Sequence, residues 1–249
     1  MSDRQRSRCA EARKQPRVVN TSVAGSGYQS VGLRTEAPLA LDFYFGSGSQ
    51  YAWRVWLALE HKGIPYTAHR MQFDNGDLRK PEYLAINPRG RVPAIVDDGF
   101  ALFESAAIVA YLEDKYPTPS LLPKDIRARA IARRIAAEVD ADFAAPSHAL
   151  VDTLFASQAP TPEAVTAAKD ALVQELARFE SYVLEGDTFV GELTVAEITI
   201  YPFLRFLDRI QERQPQHDAA ALVPPKLRQL MRRVEALPYY DKTYPPHWR

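Results

Sequence analysis

The sequence predicts an α/β N-terminal domain, built on a mixed four-stranded sheet in the order βαβ–ββα, followed by an all-α C-terminal domain. Three observations predict it. A helix-period segment joins two short strand-like runs near residues 41–73. An Asp98-Gly99 dipeptide splits two apolar runs, and strand patterns cease after about residue 117.

The run "LALDFYF", with organisation beginning at Leu41, reads as a short buried strand rich in aromatics. A helix follows with Ala52, Val55, Trp56 and Leu59 on one face and Gly63 closing it. "PYTAHRMQF" is the second strand; one helix between two strands implies a parallel pair. In "RVPAIVDDGFALF" the Asp-Gly pair marks a hairpin, and "ESAAIVAYLEDKYP" is a helix closed by Pro117. Beyond it, Val165, Ala168, Leu172, Leu176, Phe179 and Val183 keep helical spacing behind Thr161 and Pro162 as cap and first-turn residues. "LTVAEI" is a capping box, with Thr194 as N-cap, Glu197 reaching back and Leu193 against Ile198. Pro202 should bend that helix, and a last helix runs from Pro225 to about Leu237. The expected divisions are a disordered basic tail (1–40), the sheet domain (41–116), a linker (117–124) and the helical domain (125–249).

Composition narrows the function classes. Of 249 residues, 46% are hydrophobic and 25% charged, with a formal net charge of +0, so the chain as a whole offers nothing to nucleic acid or an acidic membrane. No apolar run approaches the length of a bilayer span. Cys9 is the one cysteine, which excludes an internal disulfide and a cysteine zinc site. The five histidines form no H-x-x-x-H pair, so no metal is expected. The first seventeen residues hold six Arg/Lys against two Asp/Glu and no Val, Ile, Leu, Phe, Trp or Tyr. That rules out a secretory signal; a solvated tail or an early start codon fits better than a transit peptide, which would be amphipathic.

Chemistry concentrates at "FGSGSQYAWRVWLALEHKGIPY". Two serines stand in a glycine-broken turn ahead of a helix, whose start exposes unpaired N–H groups suited to an anion. Neither a phosphate-binding G-x-x-x-x-G-K-[ST] nor a dinucleotide G-x-G-x-x-G is present, so the anion is of another kind.

Four marks stand in order: Ser49 at the first helix start, Asn87-Pro88-Arg89-Gly90-Arg91-Val92-Pro93 entering the hairpin, Glu104-Ser105 at the next helix start, and the Thr194 capping box. With "GSQYAWRVWLALEHKGIPY" and "ALPYYDKTYPPHW", they resemble the cytosolic glutathione transferases from Leu41 to Arg249, nearest to the serine-type, bacterial zeta- or theta-like classes. The resemblance implies a thioredoxin-like first domain, glutathione as co-substrate, a small hydrophobic electrophile as second substrate, a homodimer and a cytoplasmic setting.

It also assigns roles, each beside a plainer reading. A cis Val92–Pro93 bond would turn the Val92 N–H and C=O out of the sheet to pair with the cysteinyl unit of glutathione; otherwise Pro93 only starts a strand. Ser105 with nearby N–H groups suits a carboxylate and Glu104 an ammonium, both carried by a γ-glutamyl group, unless the pair merely caps its helix. Arg91 and Arg89 are candidates for the remaining carboxylate, or are solvated. Where thioredoxin-like folds often carry C-x-x-C, this chain has Ser49-Gln50-Tyr51-Ala52, so dithiol redox work is excluded. The anion is then the thiolate of the substrate, and a serine hydroxyl would stabilise it as a donor, no histidine being near in sequence to act as base. Ser49 has the family's spacing to W-R-V, with Ser47 the second choice; Ser49 also suits a plain helix cap. Tyr51, Phe143 and His148 are candidates for the electrophile pocket. A maleylacetoacetate isomerase-like cis–trans isomerase is a rival, against which stands the replacement of its S-S-C motif by Gly48-Ser49-Gln50-Tyr51. A non-catalytic glutathione-binding or scaffold protein is the other.

Overall fold

The computed structural model describes residues 41–249; the expected basic tail and Cys9 lie outside the described residues. Strand β1 (Leu41–Gly46) is central. Its Leu41, Phe43 and Phe45 point into the core and alternate with half-buried Asp42 and Tyr44, the period-2 pattern of a strand. Strand β2 (Thr67–Met71) pairs with it in parallel, from Asp42 opposite Thr67 to Gly46 opposite Met71. On the other side β3 (Ala94–Asp97) runs antiparallel to β1, and β4 (Phe100–Phe103) antiparallel to β3, giving the order β2-β1-β3-β4. Asp98 (φ 50°) and Gly99 (φ 83°) are both left-handed, as a two-residue hairpin turn matched to the strand twist requires.

Helix α1 (Gln50–His61) buries every residue from Ala52 to Leu59, more than the single face read from spacing. It is sandwiched: beside the sheet on one side, and against α7 (Val195–Arg213) on the other. Helix α2 (Pro81–Ile86), with Pro81 in its first turn, was not expected from the sequence; six residues are too few to show a period. Helix α3 (Ser105–Lys115) ends two residues before Pro117.

The chain then continues entirely in helices: α4 (Ile126–Glu138), a wider π-type turn (Val139–Phe143), α5 (Ala144–Leu154), α6 (Pro162–Tyr182), α7, α8 (Pro225–Glu235) and the short α9 (Tyr240–Thr243). Thr161 caps α6 by accepting from the Ala164 N–H, and Leu172, Leu176 and Phe179 are buried at the spacing read from sequence. Helix α7 runs on through Pro202 to Arg213. All these elements fall in one compact unit.

The α7 capping box is fully buried. Glu197 accepts from the N–H groups of Thr194 (2.7 Å) and Phe189 (2.8 Å), and from the Thr194 hydroxyl (2.6 Å). The hydroxyl in turn takes the Ala196 N–H at 3.2 Å. Thr194→Val keeps the shape and removes both hydroxyl bonds, so stability should fall by about 1–2 kcal/mol. A lower urea midpoint with an unchanged slope is the expected readout; an unmoved midpoint would show that the box is not holding α7.

Candidate functional site

The sheet topology gathers three chain segments at one edge. β1 leaves the sheet there into the turn Ser47–Ser49, β3 enters there after Val92-Pro93, and β4 leaves there into Glu104-Ser105; Tyr44, Ala94 and Phe103 are opposed in register just below. The three motifs read separately from the sequence therefore meet because of strand direction alone.

Ser49 is the N-cap of α1. Its N–H donates to Gly46 O at 3.1 Å, and its Oγ accepts from the Ala52 N–H at 3.3 Å. A hydroxyl has one hydrogen and two lone pairs, so capping leaves the Ser49 hydrogen available to a further acceptor. Ser47 differs: its Oγ lies 2.6 Å from Nδ1 of His247, a residue 200 positions away. Gly48 between them has φ 82°, and a Cβ there would lie 2.9 Å from His247 Cε1.

The loop before β3 is held from within. Asn87 is 2% exposed; its Nδ2 donates to Arg91 O (2.7 Å) and its Oδ1 accepts from the Arg89 N–H (3.1 Å). The Tyr83 hydroxyl donates to the same carbonyl at 2.6 Å. Gly90 (φ 57°) has no room for a Cβ, which would meet Leu78 O at 2.7 Å. The Val92–Pro93 bond is cis, and Val92 lies outside both ladders of β3. Glu104 holds φ 69°, a conformation that costs a non-glycine residue about 1 kcal/mol or more and that aims its exposed side chain without capping α3. Beside it Ser105 is buried at the α3 start, where N–H groups lack helical partners.

A cavity of about 440 Å³ is lined by Tyr51, Arg91, Val92, Pro93, Glu104, Ser105 and His148 among the sequence-nominated residues, together with Asn87, Ala106 and Asp140. Arg89 lies 3.8 Å from Glu104 at the surface and is not part of the lining. Ser49 is two residues ahead of Tyr51 and also outside the lining, while Ser47 faces a separate cavity of about 340 Å³ with Arg70, Phe73 and His247. Phe143 is fully buried, edge-on to Phe179 (5.3 Å) and Phe203 (6.1 Å), so it backs the wall that Tyr51, His148 and Phe203 form with one another.

Sequence reasoning missed Arg54 and Asp140. Arg54, inside the apolar α1, is 1% exposed and makes a fork to Asp140 in the π-type turn: Nη1 to Oδ2 at 2.8 Å and Nη2 to Oδ1 at 2.5 Å. Its guanidinium also lies 5.4 Å from the Tyr51 ring centre. An arginine amid W-R-V-W-L-A-L was the available signal. Burial, and then the Asp140 charge, raise the Tyr51 pKa, so its hydroxyl is a donor at neutral pH. A larger cavity of about 580 Å³ lies between α3 and α4 with Arg54 in its wall; it shares Ala106 and Asp140 with the smaller one, and neither Ser49 nor Val92 lines it. Among the described residues, no group of three or more His, Cys, Asp or Glu could hold a metal, and no helix is long and apolar enough to cross a membrane.

Two histidines make stability pH-dependent. Burial, first of all, lowers the pKa of both His61 and His247 below the ordinary 6.5; the guanidinium charges of Arg209, Arg70 and Arg213 add to the effect at His247. A depressed folded pKa means that the unfolded chain binds protons first. Stability is thus intact above pH 6.5 and is lost as pH falls from there through the folded values. Thermal melting from pH 7.5 to 5 should show a falling Tm that is blunted in a His61→Gln/His247→Asn double variant; equal slopes would contradict the assignment.

The family model for the glutathione S-transferase N-terminal domain matches residues 48–115. A maleylacetoacetate isomerase of Pseudomonas aeruginosa is 47% identical over 103 residues, covering 40% of this chain and 48% of that protein. The chain thus spans about half the length or less of the first curated relatives it matches. Over a longer stretch, a glutathione S-transferase structure from the Antarctic clam Laternula elliptica superposes with a TM-score of 0.72 at 27% identity, covering 84% of this chain and 94% of that one. A glutathione transferase family member from Pseudomonas fluorescens, solved with two glutathione bound, shares the fold with a TM-score of 0.73 at 23% identity over 85% of this chain and 95% of its own.

Proposed function

The chain belongs to the cytosolic glutathione transferase family, and from that premise we propose that it binds glutathione, holds its thiol as the thiolate and transfers it to a small hydrophobic electrophile. The observation that carries the reading is the Ser49 hydroxyl, used as an acceptor by the Ala52 N–H and so left with its hydrogen to donate to sulfur. Val92, free of the β3 ladders, supplies backbone pairing to the cysteinyl unit. Ser105 and the α3 start take the γ-glutamyl carboxylate, Glu104 its ammonium, and Arg91, with Arg89 at the rim, the remaining carboxylate.

Tyr51 and His148, backed by the buried Phe203, give the second substrate an aromatic surface. Arg91 is the one arginine in the 440 Å³ lining, with no lysine beside it, and its assignment to glutathione leaves no guanidinium or ammonium there for a dianionic acid. That favours a neutral electrophile. The similarity to a maleylacetoacetate isomerase keeps cis–trans isomerisation as a second reading, since addition and loss of the same thiolate would perform it. A homodimer would close the α3–α4 face, whose cavity is lined by Ala106, Ala110, Ala136 and Ala137.

Purified protein retained on immobilised glutathione, then assayed against aryl halides, epoxides and a maleyl-type acid, tests all of this. Turnover of the neutral electrophiles supports transfer; turnover of the acid alone supports isomerisation. Retention without turnover would show a binding protein.

A further inference from the structure

The imidazole of His247 meets the serine turn through a defined tautomer. An indole N–H can only donate, and Trp248 Nε1 lies 2.9 Å from His247 Nε2. That ring nitrogen is therefore the acceptor, and the hydrogen of the neutral imidazole sits on Nδ1. From there it donates to Ser47 Oγ at 2.6 Å. Burial first, and then the charges of Arg209 from α7, Arg70 from β2 and Arg213 from α7, lower the basicity of the ring, with Asp74 the one acid in the shared cavity lining. Ser47 and His247 are thus not a nucleophile and its base, because the nitrogen facing the hydroxyl already carries a hydrogen.

The platform behind His247 is rigid. Trp248 is 8% exposed, stands edge-on to Trp53 at 5.5 Å and is covered by the guanidinium groups of Arg205 (5.8 Å) and Arg209 (5.6 Å). Trp53 in turn donates its indole N–H to Thr243 Oγ1 at 3.0 Å. In front, Gly48 lies so close to the imidazole that a methyl group would not fit, and Ser49 is tied to Gly46 across the same turn.

We propose that His247, through its Nδ1–H to Ser47, braces the Gly46–Ser49 turn and so fixes the direction of the Ser49 hydroxyl. His247 is a positioning residue for thiolate formation, and this rests on the reading of Ser49 as the donor to sulfur. The brace acts on the turn and not on glutathione, so it bears on kcat and on the bound thiol while leaving glutathione affinity alone.

The test uses the full chain and four variants, His247→Ala, His247→Asn, Ser47→Ala and Ser49→Ala, with a Ser49→Ala/His247→Ala double variant. Each is read for kcat, KM for glutathione, the bound-thiol pKa by thiolate absorbance, and Tm. His247→Ala should lower kcat roughly three- to tenfold, the scale of one neutral hydrogen bond, and raise the thiol pKa at unchanged KM. Ser47→Ala, which leaves the Trp248 platform intact, should do the same even where His247→Ala folds poorly. His247→Asn, which can offer an N–H from the same side, should recover most of the loss. The double variant should be no slower than Ser49→Ala alone. A slow Ser49→Ala with wild-type thiol pKa and kcat in both His247→Ala and Ser47→Ala overturns the brace alone. Additive losses in the double variant, or His247→Asn as slow as His247→Ala, also overturn it. An unaffected Ser49→Ala overturns the serine reading and the brace with it.

Discussion

Ser49→Ala is expected to slow glutathione transfer by roughly ten- to a hundredfold while leaving glutathione binding nearly intact. A hydrogen bond to a charged group contributes roughly 1.5–3 kcal/mol, and the proposed one goes to the thiolate and not to the tripeptide's other groups. On the proposed reading the affinity resides elsewhere, on Val92, Glu104, Ser105 and Arg91, which line the 440 Å³ cavity. The substitution also removes the α1 cap seen in the 3.3 Å contact to the Ala52 N–H, so stability should fall by about 1 kcal/mol. Ser49→Thr keeps cap and donor and should recover much of both. A rate unchanged in Ser49→Ala, or a rate loss matched by lost binding, would remove the serine from the mechanism.

The largest stability effect is expected from Asp140→Asn. It leaves the Arg54 guanidinium, whose side chain is 2% exposed, without its counter-charge inside the body of the molecule. Removing one member of a buried pair typically costs about 3–5 kcal/mol. The Asp140 side chain is 33% exposed, so water reaches that end of the pair and the cost should fall toward the lower figure. The lesion has a functional echo, because Asp140 lines the cavity and Arg54 lies over the Tyr51 ring. Arg54→Met in the same background, which removes the stranded charge, should restore part of the stability. Equal urea midpoints for wild type and Asp140→Asn would show that the pair contributes nothing.

Local signals carried the sheet and named seven of the residues that line the 440 Å³ cavity. Asp98-Gly99 specifies its turn by two positive φ angles, and Leu41, Phe43 and Phe45 alternate visibly, so the hairpin and the central strand are legible. The motifs ending at Val92-Pro93 and Glu104-Ser105 meet because β1, β3 and β4 present their ends at one edge, and topology follows from those same strands. What was not legible depends on long-range packing. Helix α2 is under two turns long and shows no period. Arg54 reads as one charge in an apolar helix until Asp140, 86 residues on, is folded against it. His247 lies 200 residues from Ser47, so no reading of the serine turn by itself could find its imidazole. Phe143 has the right chemistry for a pocket wall but sits behind it, because the π-type turn aims it at Phe179 and Phe203.

The central claim is that Ser49 stabilises the glutathione thiolate, and a titration of the bound thiol tests it most directly. Thiolate absorbance near 240 nm, followed against pH in the glutathione complex, gives that pKa free of any second substrate. A free cysteine thiol titrates at about 8.5. In the wild-type complex the pKa should lie at least one unit lower, and each unit corresponds to about 1.4 kcal/mol. In Ser49→Ala it should return most of the way to the free value. A wild-type pKa equal to that of free glutathione, or one that Ser49→Ala leaves in place, would contradict the account.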